Sequence, residues 1–181
     1  MIERYRNSYT LLHGFIDMLL YLPTNELRGT PMIEIGSNIG ESTRIFSMIF
    51  SPVYSIDPLY DENVKGTLLH VHDLFHENTA GRNVVQIRKR SQEAANDPRL
   101  PAKVKMIYID GDHSFDAVIS DVKMYWPRLE EGGWLCGHDY NSPSPKNTRV
   151  KDAIDKLFGK PDAVFMDMSF CIKKTKERMV V

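Results

Sequence analysis

The residues able to do chemistry fall at regular points of this sequence, each directly after a short apolar run. Glu34-Ile-Gly36-Ser37-Asn38-Ile-Gly40-Glu-Ser42 follows the first run and Asp57 ends the second. Ser91 and Gln92 follow the third, Asp110-Gly-Asp112-His113 ends the fourth, and His138-Asp139 ends the fifth. Gly36 and Gly40 let the backbone turn tightly and approach a ligand closely. A helix beginning after Gly40 offers free N–H groups to an anion. Asp57, 21 residues beyond Gly36, can accept both hydroxyls of a ribose. Asp110, His138 and Asp139 form a candidate metal set. Their carboxylates suit Mg2+ or another hard divalent ion, and the histidine moves the preference toward Mn2+, Zn2+ or Fe2+. His113 titrates near neutral pH, as a general base should; its plainer role is a helix cap or a partner of Asp112. The glycine turn is not a dinucleotide fingerprint, because Asn38 stands where the second glycine belongs, nor a phosphate loop, because no Gly-Lys-Ser/Thr follows.

These groups need elements to hold them. Residues 8–22 carry Leu11, Leu12, Phe15, Ile16, Leu19 and Leu20 at helical spacing, and Pro23 ends that helix. Short buried strands are predicted at 31–36, 53–57, 84–88, 104–109 and 134–137, with Gly132-Gly133 breaking the chain before the last. Helices are predicted at 41–50, 61–78, 114–129 and 150–158. Residues 162–166 and 170–173 read as a final antiparallel pair. Strands of about five residues alternating with helices imply parallel βα units, hence a doubly wound, Rossmann-like α/β sheet of seven strands, mostly parallel. Ligands of such sheets bind beyond the carboxyl ends of the strands, where the polar residues lie. His70, His72 and His76, at i, i+2 and i+6 of one predicted helix, do not converge on one face, so no metal site is expected there. His13 is expected half-buried.

Composition sets the outer limits. The chain has 181 residues, 42% hydrophobic, with 23 Lys+Arg against 24 Asp+Glu and a net charge of -1. That fits one domain, with residues 1–29 as a helical cap. Near-neutrality argues against duplex DNA or an anionic membrane as partner. Two cysteines, Cys136 and Cys171, make no disulfide framework, and no apolar run approaches the ~20 residues of a membrane span. A cytoplasmic location is the expectation, and a homo-oligomer stays open.

The sequence resembles class I S-adenosylmethionine-dependent methyltransferases, from about residue 30 to the end. Glu34-x-Gly36-x-x-x-Gly40-x-Ser42 is similar to that family's Glu-x-Gly-x-x-x-Gly-x-Ser turn, and Asp57 matches its ribose acid. Arg90-Ser91-Gln92-Glu93 resembles the Ser-Gln pair that flanks adenine in small-molecule O-methyltransferases. Ile109-Asp110-Gly111-Asp112-His113-Ser114 and Gly132-Gly133-Trp134 with His138-Asp139-Tyr140 resemble the group that includes macrocin-type sugar O-methyltransferases. The resemblance implies S-adenosylmethionine as cofactor, with Glu34, Gly36 and Ser37 at its methionine end and Ser42 near its carboxylate. Asn38 and Gly40 complete that loop, Ser91 and Gln92 meet the adenine edge, and Asp110 belongs to both the cofactor and the catalytic groups. It implies a small hydroxyl-bearing acceptor, chosen by the Tyr5-to-Tyr21 helix and by a Tyr140-to-Arg149 loop that Pro143 and Pro145 stiffen into a lid. His113 stands where the resembled catechol-type enzymes keep a catalytic lysine. The departure is His138-Asp139, where metal-dependent relatives carry Asp-Asp or Asp-Asn. That leaves open a metal-free enzyme in which Asp110 and His113 do acid–base work. A non-catalytic cofactor-binding module and, more distantly, an NAD-dependent oxidoreductase also stay open. On this reading Asp57→Ala should weaken S-adenosylhomocysteine binding by roughly 1.5–3 kcal/mol, the worth of hydrogen bonds to a charged group. An unchanged dissociation constant in calorimetry contradicts the ribose role.

Overall fold

In the computed structural model the described residues are 9–64, 67–142 and 149–178. In chain order the helices are α1 (Tyr9–Tyr21), α2 (Thr24–Leu27), α3 (Glu41–Phe46), α4 (Val71–Thr79), α5 (Ser91–Ala94), α6 (Phe115–Tyr125) and α7 (Val150–Phe158). The strands are β1 (Met32–Ile35), β2 (Val53–Ile56), β3 (Glu62–Val64), β4 (Thr67–Leu69), β5 (Val84–Ile87), β6 (Val104–Ile109), β7 (Leu129–Gly137), β8 (Ala163–Val164) and β9 (Phe170–Lys173). The main sheet has seven strands in the order β5-β2-β1-β6-β7-β9-β8. β1 pairs in parallel with β2 and β6, β2 with β5, and β6 with β7. β9 returns antiparallel to β7, and β8 antiparallel to β9. This is the α/β architecture that the alternating runs predict.

The central strands are mostly apolar because both faces of the sheet are covered. Side chains alternate between faces, and β6 shows how that splits the core. Ile107 and Ile109 join Ile33, Ile35, Val118, Val122 and Ile154, so that face packs on α6 and α7. Met106 and Tyr108 join Met32, Met18, Phe46 and Phe50, so the other face packs on α1 and α3. Aromatic rings lock the second layer: Phe46 lies 5.0 Å from Tyr108 and 5.2 Å from Phe15, centroid to centroid. Gly14 lets α1 settle on the β8–β9 connection, since a Cβ there would come within 2.4 Å of the Asp167 amide nitrogen.

Three expectations need correction. The helix predicted over 61–78 is an antiparallel hairpin followed by a shorter helix: Glu62 faces Leu69, Asn63 faces Leu68 and Val64 faces Thr67, and α4 begins only at Val71. A short apolar run satisfies either period, and cross-strand pairing decides it. Gly132-Gly133 does not break the chain before the fifth parallel strand. β7 runs through both as a bulge, with Gly132 at φ +76° and the register to β6 shifting between Val104 and Met106. Gly133 has no room for a side chain, because a Cβ would lie 2.9 Å from the carbonyl oxygens of both Glu130 and Lys105. His13 is exposed rather than half-buried. Tyr5 and the predicted lid prolines, Pro143 and Pro145, lie outside the described residues. Among the described residues no helix is long and apolar enough to cross a membrane.

Phe46 is fully buried between α1 and β6. Phe46→Ala should cost about 3–5 kcal/mol of unfolding free energy, as large-to-small core changes do. Urea denaturation checks it, and a loss under 1 kcal/mol would mean that this layer repacks freely.

Candidate active site

The strand order reverses between β1 and β6, and a ligand crevice opens at such a switch point. There the two chains part after a very close approach. Asp110 N donates to Ile35 O at 2.8 Å, while Gly36 N donates the other way, to Ile56 O at 2.9 Å. Gly36 has φ +85°, and a Cβ on it would lie 2.1 Å from Asp110 O. No other residue fits. Gly40, at φ +81°, closes the turn by donating to Ser37 O at 2.8 Å, and it rests on the Phe75 ring of α4. Between them Asn38 also takes a positive φ, 43°, and aims its N–H at Asp57 Oδ2, 2.9 Å away. Leu59 N donates to the other Asp57 oxygen at 2.7 Å. Two main-chain donors therefore hold the Asp57 carboxylate at the end of β2, with lone pairs left for a ligand.

A cavity of about 580 Å³ opens over these strand ends. Gly36, Asn38, Asp57, Ser91, Gln92 and Asp110 of the expected cofactor set line it, as does His113. Glu34, Ser37, Gly40 and Ser42 do not; they build the turn from behind. Glu34 is fully buried and accepts hydrogen bonds from Ser42 Oγ and Thr43 Oγ1, each at 2.5 Å. This ties the end of β1 to the first turn of α3. Burial pushes its carboxyl up from 4.5 to about 7. Ser37 Oγ accepts from Ser55 Oγ at 2.7 Å, which pins the turn to β2.

Sequence reasoning gave no role to Tyr60, Arg90 or Asp121, all at the cavity. Ser91 Oγ donates to Asp121 Oδ1 at 2.5 Å, and burial raises the Asp121 carboxyl to about 6. A signal was available. Asp121 sits among Val118, Val122 and Tyr125 on the buried face of α6, and a carboxylate there needs a partner.

At the ends of β6 and β7 the structure brings together Asp110, His113 and Asp139. Their ligand atoms lie within 4.8 Å of one another. His113 Nε2 is 3.3 Å from both Asp110 Oδ1 and Asp139 Oδ2. His138, expected among the ligands, stays outside this group. Its Nδ1 lies 3.4 Å from Asp139 Oδ2. His113 enters the group in its place, while Asp112 accepts from Ser114 N at 2.9 Å in the turn that precedes α6. Asp139 turns in through a positive φ of 62°, which costs a non-glycine residue energy and is common at functional sites. The hydrogen bond to Asp110 raises the His113 pKa against the opposing pull of burial. Burial lifts Asp110, and the hydrogen bond with His138 lowers Asp139. Arg149 N donates to His113 O at 2.8 Å, so the start of α7 is fixed to this corner.

One curated relative, uncharacterized protein R132 of Acanthamoeba polyphaga mimivirus, is 30% identical over 136 residues, 69% of this chain. The chain spans 58% of that relative's length. Solved structures share the fold. A SAM-dependent methyltransferase of Leishmania major matches with TM-score 0.59 at 14% identity, over 91% of this chain and 70% of that one. The apo TDP-rhamnose 3'-O-methyltransferase CalS11, an enzyme in calicheamicin biosynthesis, matches with TM-score 0.57 at 13% identity, over 89% and 80%. The fibrillarin pre-rRNA processing protein of Methanococcus jannaschii matches with TM-score 0.56 at 18% identity, over 86% and 70%. At these identities the likeness is one of fold.

The buried Glu34 carries a pH signature. Its folded-state pKa lies above the unfolded value, so the stability it contributes is fully present below about pH 4.5 and is lost as the pH rises through about 7. The span is worth on the order of 3 kcal/mol. Urea unfolding of the unliganded protein between pH 4.5 and 8 should show this decline, and Glu34→Gln should remove it. Parallel pH profiles for the two proteins would place Glu34 outside that titration. Glu34, the turn after it and the acidic strand ends at Asp57, Asp110 and Asp139 fall inside residues 33–140, which match the family model described as "Methyltransferase domain". More than half of the sequence lies in that match, and the chain belongs to the methyltransferase-domain family.

Proposed function

We propose that the protein transfers a methyl group from S-adenosylmethionine to a hydroxyl of a small molecule or sugar, with Asp110, His113 and Asp139 holding a divalent metal ion. One observation carries the reading. Asp57, which this reading assigns to a ribose, and Asp110 and His113, which it assigns to the acceptor, line the same 580 Å³ cavity.

The residues divide the work. Gly36 gives the cofactor's methionine end a side-chain-free approach to the switch point, and Asn38 lines the same turn. Asp57 keeps lone pairs for the ribose hydroxyls. Ser91 and Gln92 edge the adenine side, with Ser91 oriented by Asp121. The negative charge of Asp110 and Asp112 favours a cationic sulfonium over its neutral thioether product. In the transfer the acceptor oxygen bonds the methyl carbon as the carbon–sulfur bond breaks, leaving S-adenosylhomocysteine, and alignment of those three atoms is the main demand. The hydroxyl must also lose its proton. Two carboxylates and an imidazole with ligand atoms within 4.8 Å of one another fit a divalent ion, which supplies the acidification of an alcohol. His138, against Asp139, then orients that carboxylate from behind. In a metal-free enzyme His113, paired with Asp110, takes the proton itself.

Calorimetric titration with S-adenosylhomocysteine should give one binding event per chain. Turnover on hydroxyl acceptors should vanish on chelation and return with Mg2+ or Mn2+. No heat with S-adenosylhomocysteine overturns the cofactor reading. Binding with turnover that survives chelation overturns only the metal role and assigns the proton to His113.

A further inference from the structure

α4 carries a feature that the cavity does not use. His72 and His76 stand one turn apart on its outer side, with Nε2 of one 3.1 Å from Nε2 of the other and the ring planes at 86°. Residues four apart on a helix are neighbours. The expected lack of convergence came from counting His70 as part of the helix. His70 precedes α4 and turns to Asp61, Nδ1 to Oδ2 at 3.2 Å. What remains is a pair on one face.

Two neutral imidazoles at this distance either share one proton or direct two lone pairs at one cation. A zinc–nitrogen bond is about 2.0–2.1 Å long, so two nitrogens on one ion, at angles between square and tetrahedral, stand about 2.9–3.4 Å apart. The observed separation falls inside that window. Asp73 Oδ1 lies 3.7 Å from His72 Nδ1. A carboxylate on that side favours the tautomer that leaves the Nε2 lone pair free. Imidazoles suit Zn2+, Ni2+ and Cu2+, whereas Mg2+ prefers oxygen. The preference of this pair therefore differs from that of the carboxylate-rich set at Asp110.

We propose that His72 and His76 form a surface site for a divalent transition-metal ion of the Zn2+, Ni2+ and Cu2+ class, which clips the first turn of α4 to the second. The consequence runs inward. On its other side α4 places Phe75 beneath Gly40, and Asn78 Nδ2 donates to Ile39 O at 2.7 Å. Val71 at its start lines the cavity. A clip on the outer face stiffens the helix that supports the turn at 36–40. This site stands whether or not the proposed reaction does.

The test titrates Zn2+ alone into the full chain carrying His113→Ala, which removes one ligand from the Asp110 set. Imidazole nitrogen signals and the melting temperature are followed. One ion should bind, the Nε2 signals of His72 and His76 should move together, and the melting temperature should rise. His72→Ala or His76→Ala should weaken binding at least tenfold, and His70→Ala should leave it unchanged. The same series in the wild-type protein under excess Mg2+ covers the event that His113→Ala is unstable. Undiminished Zn2+ affinity in both the His72→Ala and His76→Ala proteins, or signals that move at His70 instead, overturns the proposal.

Discussion

The backbone of Gly36 passes so close to the carbonyl of Asp110 that a single added carbon would lie 2.1 Å from its oxygen. That contact is the hinge of the whole site. It occurs where the strand order reverses, so β1 and β6 part just past it and leave a crevice. It sets the left-handed turn that carries Asn38 toward Asp57, and it fixes the main chain from which the Asp110 side chain projects. Glu34 beneath and Ser37 beside it anchor the same turn to α3 and β2. The residues that shape the turn are therefore mostly not those that face the cavity. A family-like motif mixes contact residues with builders, and burial separates them.

Charge follows the same geometry. A net charge of -1 conceals Asp57, Asp110 and Asp112 around one cavity, with Asp139 beside Asp110 and His113. Two histidines stand among these carboxylates, and the hydrogen bonds between them pull the acid and base groups in opposite directions, Asp139 down and His113 up. A site arranged this way favours cations: a sulfonium, a divalent ion or a proton on imidazole.

Much of this was legible in the residues. The βα alternation, the seven strands and their mostly parallel pairing follow from run length and periodicity. Gly36, Asn38, Asp57, Asp110 and His113 were legible as candidates from their strand-end positions, Ser91 and Gln92 from the family resemblance, and all seven line one cavity. The segment 61–78 was not legible: Val64, Leu68 and Leu69 satisfy a helical period as well as a strand's, and only their pairing partners decide. Asp121 was hidden for a related reason. Its partner Ser91 is 30 residues away, and nothing local marks the pair.

The sequence by itself determined which residue types stand at which strand ends, and with them the fold class and the chemistry within reach. A period of hydrophobicity and the position of a glycine are local properties, written directly in the chain. Tertiary structure alone decided which polar groups meet. His113 rather than His138 joins Asp110 and Asp139, where the backbone takes a positive φ at Asp139 and a turn closed by Asp112 on Ser114 N. Side-chain direction depends on backbone angles and on partners far away in sequence, and no reading of spacing contains either.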